Sequence, residues 1–387
     1  MWAQWHVSEV SHGVLPYFDP DINIAKGLRV IAHGIAPCFG GWHADIETWK
    51  DSTKATFDEF KKRQPYMTGE TAKYSAILVS QQMRDFYDSD AMWNSVAWME
   101  NIHRANHLLT DVIFDDSLTP ERLASYSVVS LANSTCLSDA QCTALADYVR
   151  HGGTLLATAE TSLYDEWGNR REDFGLSELL GVHYVETRKE ASQILVPQTK
   201  ELKATFKRFV TFVSPSVHIK QREDVNTELL FTHSSRSVHG LSLREDSYDS
   251  DVPAILCRHF GKGTVYYIGP NIGRGFGRDH LPRVTQLVGG LLRDAAEPPV
   301  EFDAPQLIEI TALRPHQDRL VLHLLNVSAL SSNTRKMSPL ANISIKVNRG
   351  KVVKAKLTMS DAYVKVRNNQ FVVPSVGHSE VVVLNME

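Results

Sequence analysis

The chain has 387 residues, enough for two or three domains that each bury a core of their own. Its 41 basic and 45 acidic residues leave a net charge of -4, so there is no basic surplus to grip a nucleic-acid backbone, and its 43% hydrophobic share is that of an ordinary globular protein. No run approaches the roughly 18 apolar residues that cross a bilayer, so neither nucleic acid nor membrane is an expected partner.

The opening MWAQWHVSEV lacks a basic stretch followed by an apolar one, and no export leader is expected. Cys38, Cys136, Cys142 and Cys257 lack the short paired spacings of a zinc site. They read as buried free thiols in a reducing, cytoplasmic setting, with no cofactor required. Trp2 to Val10 is strand-like, Asn23 to Gly34 has the pattern of an amphipathic helix, Pro37 to Trp42 reads as a short apolar strand, and Ser52 to Met67 as a helix with a charged outer face. Two such strand–helix units cannot close a parallel barrel, which needs about eight strands, so this stretch reads as the tail of one.

A polar linker spans 68–73, and Tyr74 to Ser80 is a buried strand. Trp93 to Leu109 reads as a helix, Asp111 to Phe114 as a strand, and Thr119-Pro120-Glu121 as a helix start with proline at the first helical position. The strongest signals lie between Ser127 and Val182. Val128, Val129, Leu131 and Ala132 form a short apolar run suited to a parallel strand buried on both faces. Ser138 and Gln141 have the spacing of a capping box, Leu145, Tyr148 and Val149 share one helical face, and Gly152-Gly153 stops the helix before a second apolar strand, Thr154 to Ala159. The polar loop ETSLYDEWGNRREDF follows at that strand's carboxyl end, where open α/β sheets meet ligands and partners.

From Gln193 to His233 the pattern shifts to short strands, QILVP, RFVTFVS, HIKQ and ELLFTH, an antiparallel extension of the central domain. Ala254 to Arg258 and Gly263 to Ile268 flank the turn Gly261-Lys262-Gly263. GPNIGRGFGRDH lacks the context and the Lys-Ser/Thr ending of a P-loop and reads as a surface loop. Leu281 to Leu292 is a closing helix. Beyond Val300 the runs RLVLHLLNVS, NISIKVN, VVKAKLTM, AYVKVRNNQFVVP and SEVVVLNM are strands, with Asn368-Asn369 as a hairpin turn, which together suggest a small antiparallel β-sandwich.

The letters LANSTCLSDAQC and YVRHGGTLLATAETSLYDEWGNRREDFGLSELLGV resemble the middle domain of glycoside hydrolases related to family 42 beta-galactosidases and to alpha-L-fucosidases of the same architecture. The resemblance runs over most of the chain and is specific in this central segment. It implies an α/β protein of three parts: the last βα units of a (β/α)8 barrel over 1–68, a flavodoxin-like, glutamine amidotransferase-like trimerisation domain over 69–299, and an antiparallel β-sandwich over 300–387. By resemblance the activity is retaining hydrolysis of galactosides or fucosides, the partners a carbohydrate substrate and further copies of the chain, a trimer among the options.

The same resemblance implies roles for particular residues. Glu9 in SEVSHG stands where the family has its nucleophile, Ala32-His33-Gly34 where a helix ends, and Trp42 in FGGWHADI where the last barrel strand carries a tryptophan. Retaining chemistry needs a second carboxyl group about 5 Å away, which the family places on an earlier strand. Glu9 is otherwise a solvated glutamate. Trp42 and His43 line a sugar subsite or belong to the core. Glu160, Tyr164, Asp165, Glu166, Trp167, Arg170 and Arg171 form either a subunit interface or a self-satisfied loop. Two further readings stand: a noncatalytic assembly protein, and an amidotransferase-like small-molecule binder, which needs an exposed reactive thiol.

Overall fold

A computed structural model describes residues 25, 27–29, 32, 46–234, 252–279, 282–330 and 337–387. The chain divides into two compact units, one formed by Lys73–Glu297 and the other by Met1–Ala72 together with Pro298–Glu387. Before the first boundary lie helix α1 (Ile46–Arg63) and the short strand β1 (Glu70–Thr71).

The unit 73–297 is built on one nine-stranded sheet. In chain order its first elements are β2 (Ser75–Val79), α2 (Gln81–Phe86), α3 (Ser89–Ala105), β3 (Thr110–Phe114), α4 (Pro120–Leu123), β4 (Val128–Leu131), α5 (Asp139–Arg150) and β5 (Thr154–Thr158). There follow α6 (Ser177–Leu180), β6 (Val182–Pro197), α7 (Lys200–Phe206), β7 (Val210–Gln221), β8 (Glu228–His233), β9 (Pro253–Phe260), β10 (Gly263–Ile268), α8 (Ile272–Asp279) and α9 (Pro282–Ala295). The sheet order is β3-β2-β4-β5-β10-β9-β8-β6-β7. The first five strands pair in parallel and the remaining pairs are antiparallel. β2, β4 and β5 are buried at every position, as a sheet covered on both faces demands.

Local sequence explains where these elements start and stop. The Ser138 hydroxyl accepts the Gln141 amide while Gln141 Oε1 accepts the Ser138 amide, so the capping box is complete. On α5, Leu145, Tyr148 and Val149 pack with Leu155, Ala157 and Val265 in the main core. Before this unit, the helix expected over Ser52 to Met67 runs over Ile46–Arg63 and the linker 68–73 holds a two-residue strand; within it, three expectations differ from the structure. α3 begins four residues before Trp93 because the Asp88 carboxylate caps it by accepting the Ala91 amide, and it ends before His107, whose φ is 55°. QILVP lies within the 16-residue β6, and RFVTFVS with HIKQ forms one strand, β7, which runs through Pro215 without a break because β7 is an edge strand. GPNIGRGFGRDH is not a surface loop. Asn271 Oδ1 accepts the Arg274 amide at the start of α8, and Ile272 is fully buried.

The other unit carries two antiparallel sheets. Its strands are β11 (Val300–Asp303), β12 (Ile308–His316), β13 (Arg319–Asn326), β14 (Leu340–Val347), β15 (Val352–Leu357), β16 (Ala362–Val364), β17 (Gln370–Val376) and β18 (Ser379–Met386). One sheet runs β1-β12-β13-β18-β15-β16 and the other β11-β14-β17. Asn368 and Asn369 both have positive φ, and Arg367 and Gln370 exchange backbone hydrogen bonds of 2.9 Å across them, the geometry of a two-residue hairpin turn. Of the helix expected over 23–34, residues 25, 27–29 and 32 are helical, and Ala25, Leu28 and Ala32 are buried. Arg29 pairs with Glu309 at 2.9 Å and Thr311 donates to the Ala32 carbonyl at 2.6 Å. Among the described residues no helix is long and apolar enough to cross a membrane.

Candidate functional site

In the parallel half of the large sheet the strand order reverses at β2, with β3 on one side and β4 on the other. Open α/β sheets form their binding crevice at such a reversal, beyond the carboxyl ends of the strands. Here three loops converge. After β2, Ser80 caps α2 by accepting the Met83 amide at 3.0 Å, which sets Gln81 and Gln82 in the helix's first turn. After β3 comes Asp115, only 8% exposed, whose Oδ2 accepts the Gln82 amide at 3.0 Å. From α5, Gln141 donates to the Asp115 carbonyl at 3.1 Å.

These groups enclose a cleft of about 320 Å³ lined by Gln82, Asp85, Phe86, Asp115, Asp116 and Gln141 among others. Asp115 Oδ1 and Gln82 Oε1 are hidden from solvent and make no hydrogen bond. Burial raises the Asp115 carboxyl above the usual range. The Gln82 amide, the Ser80 hydroxyl and the Gln81 amide pull it back down, although neither Ser80 nor Gln81 reaches Oδ1 in hydrogen-bonding geometry. At the rim Phe86 is 48% exposed and meets Trp167, 65% exposed, edge-on with ring centroids 5.5 Å apart. Gly168 lets the Trp167 loop come this close: its φ is 79°, and a Cβ there would stand 2.3 Å from the Phe86 carbonyl oxygen.

The charged loop after β5 begins with strained backbone, Ala159 and Ser162 having φ of 49° and 66°. Glu160 accepts the Tyr87 hydroxyl at 2.9 Å and the Thr187 hydroxyl at 2.7 Å, and its amide donates to Asn133 Oδ1 at 3.0 Å. Burial, then the Glu160 charge, raises the Tyr87 phenol. Tyr164 packs on Tyr87 with centroids 4.7 Å apart. Asp165 caps its own turn by accepting the Trp167 and Asn169 amides, Arg170 lies over the Tyr184 ring at 4.8 Å, and Arg171 binds Asp139 at 2.5 Å and the Leu137 carbonyl at 2.9 Å. Glu166 is half-buried. Every one of these residues therefore sits in one loop beside the cleft, with Trp167 turned to solvent.

Two other polar clusters lack a catalytic arrangement. Ser177, His183 and Asp173 resemble a triad, but both the serine and the aspartate meet the same ring nitrogen, Nδ1, so no proton can pass through the ring. Burial opposes ionisation of Asp173, yet hydrogen bonds from His183, Tyr184, Phe174 and Ser177 hold it below the usual range. His103 is fully buried between Ser130 and Ser75 and is pushed down to about 3 by burial. Cys136, Cys142 and Cys257 are free and buried as expected, and burial raises all three thiols, Cys142 to about 12. Cys38, Glu9, His33, Gly34, Trp42 and His43 lie outside the described residues. Asp115, Gln82 and Phe86 escaped the sequence reading, for which the only available signal was the position of Asp115 at a strand's carboxyl end.

Similarity to solved structures extends over nearly the whole chain. It is similar to alpha-L-fucosidase isoenzyme 2 from Paenibacillus thiaminolyticus at 17% identity and a TM-score of 0.71, over 96% of this chain and 58% of that one. A catalytic mutant of the GH42 beta-galactosidase Gan42B from G. stearothermophilus gives 15% and 0.65, over 97% and 52%, and the beta-galactosidase of Rahnella sp. R3 gives 13% and 0.62, over 95% and 52%. At these identities the likeness is one of fold, and the chain spans little more than half the length of each structure. A search of curated proteins finds no match. The sequence profile described as "ThuA: Trehalose utilisation" matches residues 76–271, the span that holds the sheet and its cleft, and since this is half of the chain the protein belongs to the ThuA family.

Proposed function

We propose that the chain works in carbohydrate metabolism, as the carboxyl-terminal portion of a retaining glycoside hydrolase acting on galactosides or fucosides, with the unit 73–297 mediating assembly. The observation that supports this is the continuity of the fold likeness, which runs through both compact units rather than stopping at the span of the family profile. In this reading the first 68 residues are the end of a (β/α)8 barrel, the large sheet is a flavodoxin-like, amidotransferase-like domain, and the strands after Val300 are a β-sandwich. Glu9 is the nucleophile, Trp42 and His43 line the sugar subsite, the Glu160–Arg171 loop faces a second subunit, and the protein is cytoplasmic. The acid/base carboxyl belongs to barrel strands supplied from elsewhere.

A second reading, a noncatalytic relative that handles sugar without hydrolysing it, is favoured by the family profile, whose description is trehalose utilisation. Amidotransferase chemistry has less support, because the turn after β5 carries Ala159 and Glu160 in place of a cysteine and the described thiols are buried. The test is hydrolysis of chromogenic galactosides and fucosides by the purified chain, with Glu9→Gln as control and the mass in solution measured alongside. Turnover abolished by Glu9→Gln is expected of a site completed within an oligomer. A well-folded oligomer without turnover removes an autonomous hydrolase and leaves a truncated or noncatalytic relative.

A further inference from the structure

We propose that the stacked pair His218 and His233 is an acid-operated latch, which holds the β6–β7 hairpin against the segment after β10 while both rings are neutral and releases it when His218 takes a proton. The device lies in the antiparallel half of the large sheet and holds under either reading of function.

β7 stands last in the sheet, yet its middle is bonded a second time. Val217 donates its amide to the Gly269 carbonyl and Asn271 donates its own to the Pro215 carbonyl, both at 2.9 Å, so the hydrogen bonding of β10, β9, β8, β6 and β7 returns on itself. Among the described residues these two backbone bonds make the closure, and they flank Ser216. The approach is close, since a Cβ on Gly269 would stand 2.5 Å from the Val217 carbonyl oxygen. On the other side of β7, β6 is irregular between Tyr184 and Glu186 and again between Arg188 and Ala191, so the ladder is interrupted opposite the same stretch.

The two imidazoles meet at that point. Ser216, 1% exposed, sets its Oγ 3.4 Å from His233 Nε2, and the His233 ring stacks on that of His218 with centroids 4.8 Å apart. Rings this close accept one proton far more readily than two. Burial, then the neighbouring His218 and Arg188, push His233 down to about 3. Burial and Arg188 lower His218 as well, but Glu186 opposes them, its Oε1 lying 3.7 Å from His218 Nδ1. His218, the less buried of the two, therefore takes the first proton. Further along its face Lys220 is engaged by Glu223 at 3.2 Å, and among the described residues β9 and α8 set no charged group against either ring.

Once charged, His218 is drawn toward Glu186, whose side chain is 49% exposed and already holds Arg188 at 2.7 Å. That movement takes the ring off His233 and toward water, and it uncovers the two bonds beside Ser216. By linkage, an imidazole kept below its unfolded value of about 6.5 adds stability in full above that pH and loses it as the pH falls toward the folded value. Each proton refused costs the closed hairpin up to about tenfold in its equilibrium per pH unit within that window.

Hydrogen exchange of the full chain at pH 7 and pH 4.5, read by mass spectrometry with labelling times scaled for the chemical exchange rate, tests the latch. At pH 4.5 His233 is still neutral, so a proton gained there belongs to His218. Peptides from 182–221 should lose at least about tenfold in protection at pH 4.5 while β2, β4 and β5 keep theirs, and the His218 ring should titrate over the same range by NMR. His218→Phe keeps an aromatic ring on His233 but takes no proton, and it should retain protection at pH 4.5; His218→Gln serves the same purpose if the first variant does not fold. Glu186→Gln, at a half-exposed position, should move the opening to lower pH. Opening in the His218 variants equal to that of the wild type overturns the latch, as does an opening unmoved by Glu186→Gln. Protection that is kept throughout at pH 4.5, or lost evenly across all nine strands, overturns it as well.

Discussion

Asp115 shows how a single residue can be costly to the fold and useful to the site. Its carboxyl is raised by burial, only partly offset by the Gln82 amide and the Ser80 and Gln81 groups. A carboxyl with a folded pKa above its unfolded one favours the folded state fully only below the unfolded pKa, and that advantage disappears as pH rises through the folded value. At neutral pH the ion is therefore a burden. An asparagine in its place would keep an oxygen for the Gln82 amide and remove the charge, so Asp115→Asn is expected to raise stability at pH 7 by on the order of 1 kcal/mol. The gain should shrink as the pH falls through the raised folded value and be gone below the unfolded one, about 3.9. Calorimetric melts at pH 7 and pH 3.5 read both effects, and a variant less stable at pH 7 would mean that Oδ1 has a partner after all. The sequence hid this residue because Asp115-Asp116 after a short strand looks like any polar turn, and only the pairing of β3 with β2 brings it to Gln82.

At the scale of elements, glycine explains the largest difference between expectation and structure. GPNIGRGFGRDH has the composition of a loop, yet α8 forms because neighbours pack where side chains would stand. A Cβ on Gly273 would lie 2.8 Å from the Ser95 carbonyl oxygen on α3, and one on Gly275 would lie 2.5 Å from the Phe212 ring on β7. Alanine gains about 1 kcal/mol over glycine in a free helix, whereas overpacking costs about 1–3 kcal/mol. Backbone cannot swing aside, so Gly273→Ala should lower the melting temperature by about 2–4 °C. An unchanged or raised value would show that α8 does not pack on α3 as described. The elements that were legible are those whose signal is local: the capping box at Ser138, the buried runs of β2, β4 and β5, and the Asn368-Asn369 turn. The extent of β6 and β7 was not, because bulges and the edge position of Pro215 decide it through pairing. Nothing in a single strand announces its partner.

At the scale of the molecule, the question is whether the two units fold independently. The unit 73–297 brings its own ends together: Tyr74, fully buried, donates its hydroxyl to the Ala296 carbonyl at 2.7 Å, and its backbone carbonyl accepts the Ser127 and Val128 amides. Its nine-stranded sheet lies wholly within the span, and so do the described residues of the core cluster packed on it. A stretch of about 225 residues with its own core and neighbouring termini meets the physical definition of a domain. Residues 73–297 expressed alone should therefore melt in one cooperative transition by circular dichroism, whereas a broad or absent transition would mean that the fold depends on the rest of the chain. The piece also separates two questions that the whole chain entangles. Glu9, Trp42 and His43 are missing from it and the Asp115 cleft is retained, so sugar bound by a folded 73–297 would place recognition in the large sheet whatever the source of hydrolysis. Loss of binding in a piece that still folds would instead assign the sugar to residues outside it.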